Sequence, residues 1–194
     1  MLRKLTILSL LLITGSVNAA GLLIPEEKKL PPLAMLSHKV SIDMKDQVAV
    51  TKVEQVFRNH TSRQLEATYI FPVPKGASVN SFSMDVGGKE VKGELVEAKK
   101  ARQIYTSIVR RTQDPGLLEY MGNRMFRLRV FPIPPNGDQK VALKYTSVAQ
   151  REKGLVEYIY PLKADKGATQ TLEKFSITAK IKSQHGIQNI YSPS

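Results

Sequence analysis

Hydrophobic and polar residues alternate with a period of two along most of this chain. The first clear run places Val40, Ile42 and Met44 on one face, and the last run, at 174–182, alternates in the same way. A period of two is typical of half-buried β-strands, because successive side chains point to opposite faces of a sheet. We therefore predict about nine short strands, one of them at Tyr158 and Tyr160.

Turn residues between the runs predict how the strands pair. Asp46-Gln47 and Gly87-Gly88 each separate two alternating runs, which is typical of tight hairpins. Asn136-Gly137 predicts a third hairpin, in which the run at 141–145 pairs back on the strand before the turn. Short strands joined by such turns favour an antiparallel sandwich, since a parallel sheet needs more crossover helices.

One segment has helical periodicity. Within residues 97–111, Ala101, Ile104, Tyr105 and Ile108 fall at helical spacing, and basic residues occupy other positions. The predicted fold class is therefore a mainly β, antiparallel sandwich-like domain with one amphipathic helix inserted.

The same four-residue pattern, Phe-Pro-aliphatic-Pro, occurs at 71–74 and again at 131–134. Proline has no amide hydrogen and a fixed φ, so each pattern stops ladder pairing while the chain stays extended. We interpret Phe71 and Phe131 as the residues that close two half-buried strands. If the Phe131 ring is buried, Phe131→Ala lowers the free energy of unfolding by about 3 to 5 kcal/mol.

Five segments, at 53–59, 69–74, 101–105, 117–120 and 131–135, occur in an order and spacing that resemble the VIT domain. This domain is the N-terminal module of the inter-alpha-trypsin inhibitor heavy chains and of many bacterial envelope proteins. The resemblance covers roughly residues 38–150 and implies a β-sandwich scaffold. The family-motif positions are Phe71, Pro72, Pro74, Ala101, Tyr105, Phe131, Pro132 and Pro134.

These patterns divide the chain into four parts: a signal peptide at 1–19, an extended lead-in at 20–36, the VIT core at 37–150, and C-terminal strands with the start of a linker at 151–194. In proteins that resemble this one, a stretch like that at 191–194 leads into a von Willebrand factor type A domain. Such domains bind a metal through an Asp-x-Ser-x-Ser loop, which this sequence does not contain. Metal-dependent adhesion is therefore not carried over to these residues.

The first residues have the layout of a secretory signal peptide. Arg3 and Lys4 precede an apolar stretch at 5–13, and small residues end at Ala19 and Ala20. A transmembrane anchor is the alternative, but it needs roughly 20 apolar residues. We expect cleavage after Ala19 and export to the periplasm, the cell surface or the medium, with no membrane span in the mature chain.

The chain is strongly basic and contains no cysteine. Its 29 Lys and Arg residues against 17 Asp and Glu residues give a net charge of +12, which becomes +10 without the two basic residues of the signal peptide. An anionic partner such as a glycan, a lipid headgroup or an acidic protein fits this charge, and so does a merely solvated surface. Nucleic acid does not fit an exported chain whose aromatics are not interleaved with basic residues.

The sequence offers no recognisable catalytic set, metal site or cofactor site. None of the three histidines lies at ligand spacing from another, and neither a Gly-x-Ser-x-Gly elbow nor a phosphate-binding glycine loop is present. We therefore predict a protein that is not an enzyme and needs no cofactor. Asn59-His60-Thr61 matches a glycosylation acceptor, but a three-residue match is common by chance, and we favour a polar turn between strands.

Arginines form the sharpest local cation cluster. Arg127 and Arg129 share one face of a predicted strand, opposite Phe126, Leu128 and Val130. The candidate partner-binding or anion-binding residues are Arg110, Arg111, Arg124, Arg127 and Arg129. The alternative is that these are ordinary surface arginines.

Two functional hypotheses follow. In the first, the chain is a non-catalytic exported VIT domain, a protein-interaction scaffold at the cell envelope that is normally coupled to a type A adhesion domain. In the second, it is a stand-alone basic domain that binds an anionic polysaccharide or another envelope polymer. Steep salt dependence of binding would favour the second, because salt screens exposed charges.

Overall fold

The computed structural model describes residues 6–9, 17–19, 21–74, 76–93, 125–160, 162–164 and 172–192. These residues form fourteen strands and no helix. In chain order the strands are β1 (Thr6–Ser9), β2 (Val17–Ala19), β3 (Leu22–Pro25), β4 (Ala34–Lys45), β5 (Val48–Arg58), β6 (Leu65–Pro72), β7 (Ser78–Val86), β8 (Lys89–Lys92), β9 (Met125–Ile133), β10 (Asp138–Val148), β11 (Gln150–Glu152), β12 (Leu155–Glu157), β13 (Leu162–Ala164) and β14 (Lys174–Lys182).

Two sheets make up most of the described fold. One has seven strands in the order β1-β14-β4-β5-β10-β7-β8, and the other has three in the order β3-β6-β9. Two small pairs, β11 with β12 and β13 with β2, complete the described strands. The predicted mainly β fold is confirmed, and one neighbouring pair, β14 with β4, is parallel. The helix predicted at 97–111, with Ala101 and Tyr105, lies outside the described residues.

Two hairpins with two-residue loops form where the turn residues predict them. Strands β4 and β5 pair around Asp46, whose φ of 55° lies in the left-handed region. Strands β7 and β8 pair around Gly87 and Gly88, with φ of 60° and 83°. Asp and Gly adopt positive φ more readily than most residues, so both connections suit two-residue loops.

The hairpin predicted at Asn136-Gly137 is wrong. Strand β9 pairs with β6, whereas β10 pairs with β5 and β7, so this turn carries the chain from one sheet to the other. The cause is the proline content before the turn: Pro132, Pro134 and Pro135 offer no amide hydrogen to a neighbouring strand. The chain turns at this point as predicted, but β10, the strand after the turn, pairs with β5 and β7 and not with β9.

Asn59 holds this crossover in place. Its side chain is fully buried, and Nδ2 donates hydrogen bonds to the carbonyl oxygens of Arg63 at 2.8 Å and Pro134 at 2.9 Å. Its Oδ1 accepts hydrogen bonds from both the amide and the hydroxyl of Thr61. The nitrogen that would carry a glycan is therefore used inside the fold, which supports the polar-turn interpretation.

The strand predicted at Tyr158 and Tyr160 does not form. The chain at 158–160 lies between β12 and β13 without ladder partners, and we call it the returning segment. The hydroxyl of Tyr158 lies 2.5 Å from Oγ1 of Thr51, and that of Tyr160 lies 2.8 Å from Nε2 of His38. Side-chain hydrogen bonds to the seven-stranded sheet therefore replace strand pairing.

The core has two parts, both on the inner face of the seven-stranded sheet. The larger part lies between the two sheets and is built from these buried residues: Leu23, Val53, Phe57, Leu65, Ala67, Tyr69, Phe71, Val73, Ala77, Phe82, Leu128, Val130, Ile133, Val141, Leu143 and Tyr145. The smaller part contains Val40, Ile42, Met44, Ala49 and Ala149. Tyrosines of the returning segment pack against it.

The segment predicted as an extended lead-in, at 20–36, contributes to the core. It forms strand β3, whose Leu23 is fully buried.

The two Phe-Pro patterns lie at opposite ends of the β6–β9 pair, and their phenylalanines face opposite ways. Phe71 is fully buried, whereas Phe131 is 50% exposed, so the condition for a large loss of stability in Phe131→Ala, a buried ring, is not met. Strand β9 has three steps between Val130 and Ile133 where β6 has two, which is a β-bulge. This bulge turns both Val130 and Ile133 into the core and leaves Phe131 on the outer face.

Alanine substitution of each phenylalanine tests this difference in burial. We expect Phe71→Ala to lower the free energy of unfolding by about 3 to 5 kcal/mol, since it empties a closed core site. We expect Phe131→Ala to lower it by less than about 1 kcal/mol. Urea unfolding followed by far-UV circular dichroism measures both. Equal losses in the two variants would contradict the bulge geometry.

Candidate functional site

The predicted arginine cluster lies partly on the outer face of the three-stranded sheet. Arg127 is in register with Ile70 of β6, and Arg129 with Thr68. The two side chains therefore occupy one face of β9, on the side away from Leu128 and Val130. Arg110, Arg111 and Arg124 lie outside the described residues.

Each described arginine of this cluster has its own carboxylate. The Arg127 guanidinium lies 3.9 Å from Glu26, and Arg129 forms an ion pair with Glu66. Arg127 also donates a 3.4 Å hydrogen bond to Oγ1 of Thr68, and only 22% of its side chain is exposed. Because nearby carboxylates balance both positive charges, this strand attracts anions only weakly.

A second basic surface lies on the outer face of the seven-stranded sheet. It covers four consecutive strands, β14, β4, β5 and β10, and we call it the lysine face. Its basic residues are Lys39, Lys45, Lys52, Arg58, Lys140, Lys144, Lys174, Lys180 and Lys182. Its acidic residues are Asp43, Glu54 and Asp138. Nine basic and three acidic side chains leave a net charge of +6 on this face.

The acids of the lysine face neutralise only part of it. Glu54 lies 3.1 Å from Nζ of Lys52 and 3.5 Å from Nζ of Lys140, and Arg58 forms an ion pair with Asp138. Partial burial alone would raise the pKa of Glu54, but the hydrogen bond and charge of Lys52, with the charges of Lys140 and Lys39, lower that pKa below its ordinary value. This carboxylate therefore stays ionised and is shared among several cations.

Some lysines of this face are opposite one another. Lys52 and Lys144 are in direct register on β5 and β10, and Lys45 and Lys182 are in direct register on β4 and β14. All four are exposed. Within the described residues, Lys45, Lys144 and Lys182 have no carboxylate within 4.0 Å.

The sequence pattern did not reveal this surface because its residues come from distant segments. Every lysine of the face lies at an ordinary polar position of an alternating strand. The available signal was weak: β4, β10 and β14 each carry two or three lysines at outward positions, whereas β5 carries one, Lys52. Only the strand order shows that the four outward faces adjoin.

The inner face of the same sheet carries a line of buried hydrogen bonds. The hydroxyl of Tyr69 donates to Oε1 of Gln55 at 2.6 Å, and Nε2 of Gln55 donates to Nδ1 of His38 at 2.9 Å. Nε2 of His38 then meets the hydroxyl of Tyr160 at 2.8 Å.

Gly21 borders this line with φ of 119°, and a Cβ atom there would lie 2.8 Å from Oε1 of Gln55. Glycine is therefore required at that point.

The groups in this line are neutral. Burial lowers the pKa of His38 to about 4, so the ring carries no charge at neutral pH. Burial also raises the pKa of Tyr69 and Tyr160 well above the ordinary value. Because the Gln55 amide donates to Nδ1, the proton of the neutral ring belongs on Nε2. These polar groups satisfy one another, which suits a structural role.

Two kinds of feature are absent from the described residues. In that part of the chain, no group of three or more His, Asp or Glu side chains could hold a metal ion. No helix there is both long and apolar enough to cross a membrane.

Comparison with known families gives a match over most of the two sheets. Residues 35–145, which run from β4 to β10, match the vault protein inter-alpha-trypsin domain, abbreviated VIT. The matched region includes both Phe-Pro patterns and the central strands of the lysine face.

Curated relatives share this region within longer proteins. The chain is 26% identical over 193 residues to mouse (Mus musculus) von Willebrand factor A domain-containing protein 5A, covering 88% of the chain and 24% of that relative. It is 27% identical over 142 residues to mouse protein mono-ADP-ribosyltransferase PARP4, covering 71% and 7% respectively. It is 25% identical over 128 residues to human (Homo sapiens) inter-alpha-trypsin inhibitor heavy chain H2, covering 65% and 13%. The chain thus spans about a quarter or less of each relative.

The buried histidine gives folding a specific pH dependence. In the unfolded chain His38 binds a proton near pH 6.5, whereas in the folded protein it does so only near pH 4. The unfolded state therefore binds more protons in that window, and stability falls as the pH falls through it. We expect the wild-type protein to lose about 3 kcal/mol more than His38→Gln between pH 7 and pH 4.

Urea unfolding at a series of pH values measures this difference. The exposed His185 supplies the matched control, His185→Gln, which should follow the wild-type curve. If His38→Gln loses as much stability as the wild type over this range, the buried neutral imidazole is not the source.

Proposed function

The chain belongs to the VIT domain family, and on that premise we propose that it is a non-catalytic interaction module of an exported protein. In this proposal its two sheets form a rigid scaffold that supports a neighbouring von Willebrand factor type A domain and contacts a partner protein at the cell envelope. No reaction, cofactor or resident metal is assigned to the described residues.

One observation carries the proposal: the same region occurs in long proteins with very different names. A mono-ADP-ribosyltransferase, an inhibitor heavy chain and a von Willebrand factor A domain-containing protein all match it. A region shared by such different proteins supports a role common to all of them, such as positioning or interaction. The match with the protein named for a von Willebrand factor A domain covers 88% of the chain and supports that pairing.

Export is the second element of the proposal, and it rests on the leader pattern at 1–19. Cleavage after Ala19 would remove β1 and β2, which pair with β14 and β13. Strand β14 would then be an edge strand with β4 as its described neighbour. Its outward lysines, Lys174, Lys180 and Lys182, would discourage pairing with other chains.

The second candidate function is binding of an anionic envelope polymer by the domain itself. The net charge of +6 on the lysine face favours it, because this surface is exposed and only partly neutralised.

The intact mass and terminal peptides of the native protein, purified from the envelope fraction, test the first proposal. We expect an N-terminus at Ala20 and a C-terminal peptide beyond Ser194, within a chain that contains an Asp-x-Ser-x-Ser loop. A protein found in the cytosol with Met1 retained would refute export. A native chain without a type A domain would refute the proposed coupling and leave the second candidate.

A further inference from the structure

We propose that the lysine face is a binding site for a linear polymer with repeating anionic groups, such as an acidic polysaccharide. This inference deepens the second candidate function and rests on it. It does not depend on whether a type A domain is attached.

The face is a flat array with regular spacing. Neighbouring strands lie roughly 4.8 Å apart, and alternate residues along a strand lie roughly 7 Å apart. One row across the sheet runs Thr178, Ser41, Lys52 and Lys144, so two hydroxyl groups adjoin two ammonium groups. Another row runs Lys182, Lys45, Val48 and Val148. A polymer with an anion on each repeat can contact several such rows at once.

The opposed lysines are the observation that points to a ligand. Like charges directly opposite each other on neighbouring strands destabilise a sheet. The lysine face contains two such pairs: Lys45 with Lys182, where neither lysine has a carboxylate within 4.0 Å among the described residues, and Lys52 with Lys144, where Glu54 neighbours Lys52 alone. An acid at one position of each pair would relieve the repulsion. A bound anion would relieve this repulsion in the same way, so these pairs suit a surface that binds an anionic ligand.

Protection of a sheet edge does not account for the whole face. Lysines on β14 can serve that purpose, because β14 becomes an edge strand if the leader is removed. Strands β5 and β10 are interior, with neighbours on both sides, and they carry Lys52, Lys140 and Lys144. Their lysines have no edge to protect.

The composition of the face favours a polymer over a folded acidic protein. The outward residues of the four strands include no aromatic side chain, and the single arginine, Arg58, is paired with Asp138. Protein interfaces usually centre on aromatic and arginine anchors and are depleted in lysine. Lysine is a flexible point charge that suits many repeated, weakly directional contacts. Serine and threonine between the lysines can donate hydrogen bonds to sugar hydroxyls or anions.

Two quadruple variants of the full chain test the site at equal net charge. The face variant combines Lys45→Gln, Lys52→Gln, Lys144→Gln and Lys182→Gln. The control variant combines Lys28→Gln, Lys29→Gln, Lys89→Gln and Arg151→Gln. The four control residues are exposed, lie off the lysine face and form no ion pair with another described residue.

The probes are fluorescently labelled dextran sulfate and polygalacturonate, with neutral dextran as a blank, measured by anisotropy at a series of NaCl concentrations. We expect the wild type and the control variant to bind both polyanions within threefold of each other. We expect the face variant to bind at least tenfold more weakly. The slope of log affinity against log salt should fall by about one for each contacting lysine removed.

A single substitution connects binding with stability. Lys144→Glu replaces an opposed lysine pair with an opposite-charge pair, so it should raise the urea midpoint of unfolding while weakening polyanion binding several-fold. A variant that binds less only because it unfolds would show a lower midpoint instead.

The following outcomes would overturn the proposal. Equal losses in the face and control variants would mean that net charge alone attracts the polymer. Binding to vesicles rich in anionic lipid, or to an acidic protein, without binding to either polymer would assign the face to another partner. Neither outcome bears on the terminal peptides of the native protein, so the two proposals fail independently.

Discussion

The buried line of hydrogen bonds through Gln55 joins three parts of the structure that local pairing does not connect. Gln55 belongs to the seven-stranded sheet, Tyr69 to the three-stranded sheet, and Tyr160 to the returning segment, which it meets through His38. An unpaired buried polar group costs about 1 to 3 kcal/mol. Loss of any one contact in the line would leave a buried polar group without a partner. The line therefore fixes the position of the three-stranded sheet relative to the seven-stranded sheet.

Packing and hydrogen bonding on the inner face of the seven-stranded sheet leave the side chains of its outer face free for binding. Because side chains alternate along each strand, core residues such as Val40 and Val53 lie beside outward residues such as Lys39 and Lys52. Packing of the inner face fixes the backbone positions of the outward lysines. A charged surface built on rigid interior strands is preorganised for a repeating ligand, and little ordering is needed when the ligand binds.

The elements that could be predicted depend on local signals. The β4–β5 and β7–β8 hairpins follow from alternating runs beside Asp46 and Gly87, and both ends of each hairpin lie close in sequence. The wrong predictions all required a distant partner. The chain after Asn136 pairs with β5 rather than β9, Tyr158 bonds to Thr51 instead of forming a strand, and a bulge against β6 turns Phe131 outward.

The candidate site also has features that local sequence predicts and features that depend on distant residues. By itself the sequence determined the mainly β class, the family motifs and the basic charge, because periodicity, proline chemistry and composition are properties of neighbouring residues or of their sum. Only the tertiary structure decided which cations are available. Arg127 and Arg129, two positions apart on β9, meet Glu26, which follows β3, and Glu66 of β6, whereas lysines from β14, β4, β5 and β10 form one exposed face. Charge balance depends on distance in space, and strand order, which sets that distance, is a long-range property of the fold.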